Sequence, residues 1–357
     1  MVVLMFADYA APYEGNFISS LKHLENSIEA VGGNVIYVFP ENAGQTDWAR
    51  LAACRGNVFF LKKSTLQSIL LFIKLIRRFK VDIIHSHFSV FKYDLMIKTA
   101  AFFARGTKYV RHMHMLYKNK DSRLLELVKR TVCSADCHVA CSIPVYNSMK
   151  AAGLKNIETV INAIDFERLA VRDTPDKEGF ARNPGDKLIL ILGYEYEIKG
   201  VDIAVRAVKL LNEKGIKATL LICAAVGSRI IADRITRDFG VFPDFVRIIP
   251  PREDIAAYYA LCDVFVSPSR EESFCYALRE AGYCGVPLVA SDIEAHSVPG
   301  AMLFKRGDAG DLAEKLCYTL TNDNTERINL QIKSIIESCS MENWCEILLK
   351  IYKKLLT

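Results

Sequence analysis

Short apolar, β-branched runs alternate along this chain with stretches in which apolar residues recur every three or four positions. Residues 2–6 are an unbroken apolar run, and 17–31 then carry Phe17, Leu21, Leu24 and Ile28 at helical spacing. The pair of signals repeats, with strands expected at 34–39, 81–85 and 108–111 and helices at 66–79 and 93–104. Unbroken apolar runs are what strands covered on both faces look like. A strand–helix–strand rhythm predicts a parallel sheet flanked by helices.

After Leu169 the pattern breaks. Residues 172–187 are polar and hold two prolines and two glycines, the composition of a linker. The alternation then restarts, with strands at 188–193, 218–224, 245–249, 264–267 and 287–291. Helices are expected at 201–212, 230–238, 255–260 and 277–284, and a last one at 343–356. The expectation is an α/β chain of two Rossmann-like, doubly wound parallel-sheet domains facing each other across a cleft. The first spans 1–170 and is completed by the C-terminal helix 343–357; the second spans 171–342. In such sheets ligands sit beyond the carboxyl ends of the strands.

Composition narrows the picture. A chain of 357 residues holds two domains of ordinary size, and 51% apolar with 24% charged residues is a globular profile. The longest apolar runs, 1–7 and 220–226, fall far short of the roughly 20 residues of a spanning helix. The first residues read as a strand, not a signal peptide, so a cytoplasmic protein is expected, with its eleven cysteines as free thiols. Cys133, Cys137 and Cys141 recur every four residues beside His138, which fits no zinc spacing and reads as core packing.

Charge is unevenly spread. Residues 1–170 hold 22 Lys and Arg against 14 Asp and Glu, and the remainder 24 against 27. A basic first half points to an anionic partner: a membrane surface, a phosphate-bearing acceptor or nucleic acid. No aromatic-interleaved nucleic-acid motif accompanies it, so no nucleic-acid partner is expected. Residues 64–80 form a basic amphipathic helix with apolar Leu66, Ile69, Leu70, Ile73 and Ile76. Such a helix suits the inner face of a membrane as a peripheral anchor, or equally the covering of a sheet, which is preferred here.

The candidate chemistry is concentrated between Asp263 and Asp292. A strand there leads into a loop carrying Glu272, then a helix opening near Phe274, then a further strand. Amides at a helix N-terminus suit a diphosphate, and Glu280, two turns into the helix, can reach ribose hydroxyls. The segment Glu272-Ser-Phe-Cys-Tyr-Ala-Leu-Arg-Glu280-Ala, followed by Gly285-Val-Pro-Leu-Val-Ala-Ser-Asp292, resembles the signature of the retaining GT-B glycosyltransferases, the group 1 family of bacterial cell-surface polysaccharide type. That signature has two glutamates eight positions apart and then a Gly-x-Pro strand. Ser273 and Cys275 stand where the family has glycines.

The resemblance extends outward from there. Gly193-Tyr194-Glu-Tyr-Glu-Ile-Lys199-Gly200 is similar to a family segment whose Arg and Lys neutralise the departing diphosphate; Lys199 matches, and Tyr194 replaces the Arg. Arg252, Arg279 or backbone amides are the candidates to fill that gap. In the first half, Gly15-Asn16-Phe17 follows the first strand, where the family has a glycine-rich turn and an ordinary βα turn would look the same. Asp82-Ile-Ile-His85-Ser-His87 and Lys108-Tyr-Val-Arg-His112-Met-His114 resemble two strand ends, and Ala135–Ser142 with Asn162-Ala163-Ile164-Asp165 resembles the close of the first domain.

By resemblance, Glu272 holds the donor sugar, Lys199 neutralises the diphosphate, the amides of Phe274, Cys275 and Tyr276 hold the diphosphate and sugar, and Glu280 holds the ribose. Ser273, Gly15, Asn16 and Tyr194 are further substrate-binding positions by the same resemblance. His114, in preference to His112, supports the sugar. The implied reaction moves a sugar, with retention of anomeric configuration, from a nucleotide-diphosphate donor to a hydroxyl of a saccharide or lipid-linked acceptor. The donor is expected to be a UDP-linked hexose or N-acetylhexosamine. No metal site and no cofactor are expected, protein cations taking the place of Mg²⁺. Tyr194, Ser273 and Cys275 also motivate an alternative, a catalytically silent subunit that stabilises or targets a partner transferase. A sugar-nucleotide epimerase is a third option.

Overall fold

The computed structural model describes residues 1–357 apart from 55, 105, 119–133, 171–175, 194, 225–227 and 253. The chain divides into two compact units, Met1–Ala163 with Met341–Thr357, and Ile164–Ser340.

The first unit is built on a seven-stranded sheet in the order β3-β2-β1-β4-β5-β6-β7. The strands are β1 (Val2–Ala7), β2 (Asn34–Phe39), β3 (Val58–Phe60), β4 (Ile83–His87), β5 (Lys108–Met113), β6 (Cys137–Ala140) and β7 (Ile157–Thr159), all paired in parallel. Alternate β1 side chains feed two cores. Val3 and Met5 pack with Leu21, Leu24 and Ile28 of the helix Gly15–Ala30 and with Trp344, Leu348 and Tyr352 of the helix Met341–Leu356. Leu4 and Phe6 pack on the other face with Phe72, Leu75, Ile97 and Ala100. Both faces are covered, which is why the strands read as apolar runs.

The second unit carries six parallel strands in the order β10-β9-β8-β11-β12-β13. These are β8 (Lys187–Leu192), β9 (Ala218–Cys223), β10 (Val246–Ile249), β11 (Val264–Ser267), β12 (Leu288–Ser291) and β13 (Met302–Phe304). The chain runs outward from β8 through β9 to β10, then returns to the other side of β8 with β11. Strand order therefore reverses between β8 and β11, the topological switch point at which sheets of this kind bind ligands. In the first unit the same reversal lies between β1 and β4.

Two expectations change. The polar segment expected as a linker is tied, in its described part, to the second unit. Lys177 binds Asp263 at 2.7 Å, Phe180 packs edge-on against Tyr258, and Arg182 reaches Asp186, Asp244 and Asn212. A surface strap and a free linker share one composition, and only the partners tell them apart. The helix over 64–80 forms at Thr65–Phe79 and covers the sheet, but its buried residues are Ser68, Phe72, Leu75 and Ile76. Leu66 and Leu70 point outward, at 65% and 56% exposed, because the apolar arc is wider than the face the sheet can cover. Cys137 and Cys141 are buried as packing residues, Cys133 lies outside the described residues, and every described cysteine is a free thiol.

Candidate functional site

In the second unit the switch point is made by the loops after β8 and β11. Gly200 explains how closely they approach. It has φ 67°, and a Cβ there would lie 2.1 Å from the Pro268 carbonyl oxygen, so only glycine fits. The amide of Arg270 donates to Ile198 O at 2.8 Å, and the Arg270 guanidinium grips both oxygens of Asp202 at 2.8 and 2.7 Å. The contact brings Lys199 to Glu272. Lys199 Nζ donates to Glu272 Oε1 at 2.6 Å, and Ser269 Oγ donates to the same oxygen at 3.1 Å. Both ionic side chains are largely enclosed, at 13% and 12% exposed. Lys199 is therefore an enclosed, paired side chain at the switch point and not a solvated surface lysine.

Beyond Glu272 the chain turns into the helix Tyr276–Tyr283 through Cys275, which has φ 59° and ψ 74°. The left-handed turn that a glycine would make freely is kept here by a residue with a Cβ, at a cost of about 1–2 kcal/mol. Arg279 staples the turn: its guanidinium donates to Phe274 O and, at 3.2 Å, to Ala295 O, and lies 4.1 Å from the centre of the Phe274 ring. These partners are carbonyls; Tyr194, where a gap in the phosphate site is expected, lies outside the described residues. Arg252 lies over the Tyr258 ring. Ser273 and Tyr276 flank the turn, and Phe274 is buried.

Glu280 is nearly buried. Its Oε2 accepts from the fully buried Tyr259 hydroxyl at 3.1 Å, and its Oε1 lies 3.5 Å from Arg168, which sits on the single turn Phe166–Leu169. Burial and the Glu280 carboxylate push the Tyr259 phenol well up, so it stays a donor. Beneath the loop lies His296, which the sequence reading missed. Its Nδ1 is 3.0 Å from Ser291 O, a group that only accepts, so Nδ1 carries the proton and Nε2 accepts from Ser267 Oγ at 3.0 Å. Ser291 Oγ donates to Ser269 O at 2.6 Å, linking this histidine to the loop that holds Glu272. Burial lowers His296 to about 4, so it is neutral at pH 7.

Glu272, Cys275 and His296 each offer an atom within 4.8 Å of the others, the spacing of a metal set. Their chemistry argues against one. The carboxylate already holds an ammonium, His296 Nε2 already accepts from Ser267, and burial pushes the Cys275 thiol up to about 11.

In the first unit, Gly15 opens its helix at φ 59° after β1, and the Tyr9 hydroxyl closes the turn on the carbonyls of Tyr13 and Glu14. Asn16 is buried, with its amide donating to Ala163 O at 2.7 Å. His114, just past β5, is partly exposed; its Nε2 lies 3.0 Å from His87 Nδ1, and its ring stacks on Phe88 and His112. Burial lowers His114 to about 3.

Two family profiles match this chain, Glycosyl transferases group 1 over residues 186–322 and Glycosyltransferase Family 4 over residues 22–168. Each half of the chain is thus matched by a glycosyltransferase family model, the second half by that of group 1. Among curated relatives, the chain is 26% identical over 184 residues to the D-inositol 3-phosphate glycosyltransferase of Saccharomonospora viridis, covering 48% of this chain and 42% of that one. It is 26% identical over 314 residues to one component of the human phosphatidylinositol N-acetylglucosaminyltransferase, covering 82% of this chain and 62% of that one. The chain spans about half the length of the first curated relatives it matches. Among solved structures, Anabaena HepE in complex with UDP superimposes with a TM-score of 0.78 at 17% identity, covering 99% of this chain and 100% of that one. That likeness establishes the fold as GT-B.

Proposed function

We propose that this chain transfers a sugar from a nucleoside-diphosphate donor to an acceptor hydroxyl, with retention of anomeric configuration. The observation that carries the proposal is the enclosed Lys199–Glu272 pair at the switch point of the second unit, eight residues before Glu280. An ammonium and a carboxylate held together by a glycine-only contact suit a ligand with an anionic and a hydroxylated end. Lys199 and the amides around Ser273–Tyr276 neutralise the leaving diphosphate; Glu272 holds the sugar hydroxyls; Glu280 takes the ribose. His114 keeps the sugar-supporting role that the resemblance gives it. The transfer itself runs on positioning and electrostatics, without a metal at the diphosphate.

UDP is the proposed nucleotide, since HepE was solved with UDP, and a hexose or N-acetylhexosamine the proposed sugar. The acceptor is a saccharide or lipid-linked alcohol, in keeping with the inositol-based names of two relatives. An anionic membrane surface is the proposed setting. No described helix is long and apolar enough to cross a membrane, but Leu66, Leu70, Phe102 and Phe103 are exposed on two neighbouring helices that also carry Lys74, Arg77 and Arg78. Salt-sensitive flotation with anionic but not neutral vesicles tests that setting.

The activity is tested by incubating the protein with a panel of sugar nucleotides and candidate acceptors, following nucleoside diphosphate release and product linkage by NMR. An α-linked donor should give an α-linked product. A β-product would refute retention and recast His114 as a base. Binding without turnover across the panel would point to the alternative, a silent partner of another transferase.

A further inference from the structure

The pairing of β4 with β5 produces a feature that the proposed reaction does not use. His85 and His87 are two apart on β4, so their side chains share one face of the sheet. His112 on β5 is the register partner of His87 and joins them. All three are fully buried under the helix Met341–Leu356, with the His112 ring against Trp344 and the His85 ring against Tyr352. Such a face should be apolar.

Instead, among the described residues, four ring nitrogens there have no hydrogen-bond partner: Nε2 of His85, Nε2 of His87 and both nitrogens of His112. A buried polar atom left unpaired costs about 1–3 kcal/mol, and well-packed interiors rarely hold several side by side. The remaining nitrogens of His85 and His87 are engaged. His85 Nδ1 lies 2.5 Å from the Tyr352 hydroxyl, and His87 Nδ1 lies 3.0 Å from His114 Nε2. Imidazoles tethered through one nitrogen, with the other bare and turned toward its neighbours, are arranged as metal ligands are. Outer partners of this kind fix ring orientation and tautomer.

We propose that His85, His87 and His112 form a binding site for one zinc-class divalent cation inside the first unit. Each residue offers a ligand atom within 4.8 Å of the other two. Nitrogens bound at about 2.1 Å in a tetrahedral shell stand roughly 3.4 Å apart, so the rings close on the ion by about an ångström. An all-imidazole set selects zinc or a neighbouring late transition ion over Mg²⁺ or Ca²⁺, which require oxygen ligands. Three protein ligands leave one position for water. Full burial means the ion loads as the chain folds. With the ion on Nε2, His87 Nδ1 carries a proton and donates to His114 Nε2, which leaves the His114 proton on Nδ1. The ion would thus set the tautomer of the one partly exposed histidine of the cluster.

The inference is independent of the proposed transfer reaction, because its test needs no sugar. Tag-free protein is unfolded in chelator, refolded with or without Zn²⁺, freed of loose metal by gel filtration and measured by plasma mass spectrometry and thermal melting. The expected result is roughly one zinc per chain and a higher melting temperature for the zinc-loaded form. His112→Phe keeps a ring against Trp344 and His114; it should lose the zinc, and its melting temperature should no longer respond to it. Refolding the unaltered chain with Co²⁺ should give the visible absorption of a tetrahedral nitrogen-ligated ion, a readout that needs no variant. Negligible zinc after refolding, absence of the Co²⁺ bands, or full zinc retention in a folded His112→Phe protein each overturns the proposal.

Discussion

The Lys199–Glu272 pair makes a prediction that separates the two ends of the proposed donor. At 2.6 Å and an effective dielectric near 20, its Coulomb attraction is about 6 kcal/mol before desolvation. With both side chains largely enclosed, desolvation offsets most of that, leaving a net coupling of about 1–3 kcal/mol. Lys199→Met, Glu272→Gln and the double variant should therefore form a non-additive cycle in urea unfolding, each single change leaving a partner group stranded. Binding should split the two residues. Lys199→Met removes a cation from the diphosphate and should weaken UDP by about 10–100-fold, or 1.4–2.8 kcal/mol. Glu272→Gln removes the carboxylate that competes for that same ammonium, so UDP should bind as well as before or tighter. Turnover should still fall by at least about 100-fold, because the sugar contact is lost. Isothermal titration with UDP, beside initial rates with the active sugar nucleotide, reads both. If Glu272→Gln weakens UDP as much as Lys199→Met does, the two side chains do not serve separate ends of the donor and the assignment fails.

Other outcomes follow from neighbouring geometry. Glu280→Gln should weaken UDP about tenfold or more, whereas Tyr259→Phe removes only a buried supporting bond and should lower stability by about 1 kcal/mol with affinity nearly kept; equal losses of affinity would contradict a direct ribose contact. Gly200→Ala sets a Cβ against Pro268 O at a positive φ and should cost about 3 kcal/mol or more while loosening the Lys199 loop; unchanged urea midpoint and UDP affinity would refute that reading. The His296 pKa is depressed to about 4, below its unfolded value near 6.5, so the unfolded chain binds the extra proton in between. Its contribution is full above about pH 6.5 and is lost as pH falls toward 4, by about 2 kcal/mol at pH 5. His296→Gln should flatten that part of the pH–stability curve, and an unchanged slope would rule His296 out as its source.

The sequence by itself determined the class of fold and most of the strand–helix rhythm, because strands buried on both faces need unbroken apolar runs, as 2–6 and 188–192 have. It also determined the spacing of Glu272 and Glu280, which follows from one loop and one helix and needs no distant contact. Short edge strands such as Val58–Phe60, Ile157–Thr159 and Met302–Phe304 carry too few residues for a period to show. The helices Ala309–Thr321 and Thr325–Ser338 were also missed, although Asp308 caps the first in the expected way. Tertiary structure alone decided which residues meet. Lys199 and Glu272 are 73 positions apart and touch because Gly200 lets two loops approach at the reversal of strand order. His296 reads as an isolated histidine until the loop folds over it, and Arg279 reads as a free cation until Phe274 and Ala295 present their carbonyls. His85 and His87 share a strand face by spacing alone, but His112 joins them only through parallel pairing, which no sequence separation shows. Local periodicity reports what each segment buries; the contacts that carry chemistry depend on strand order and register, which no single segment contains.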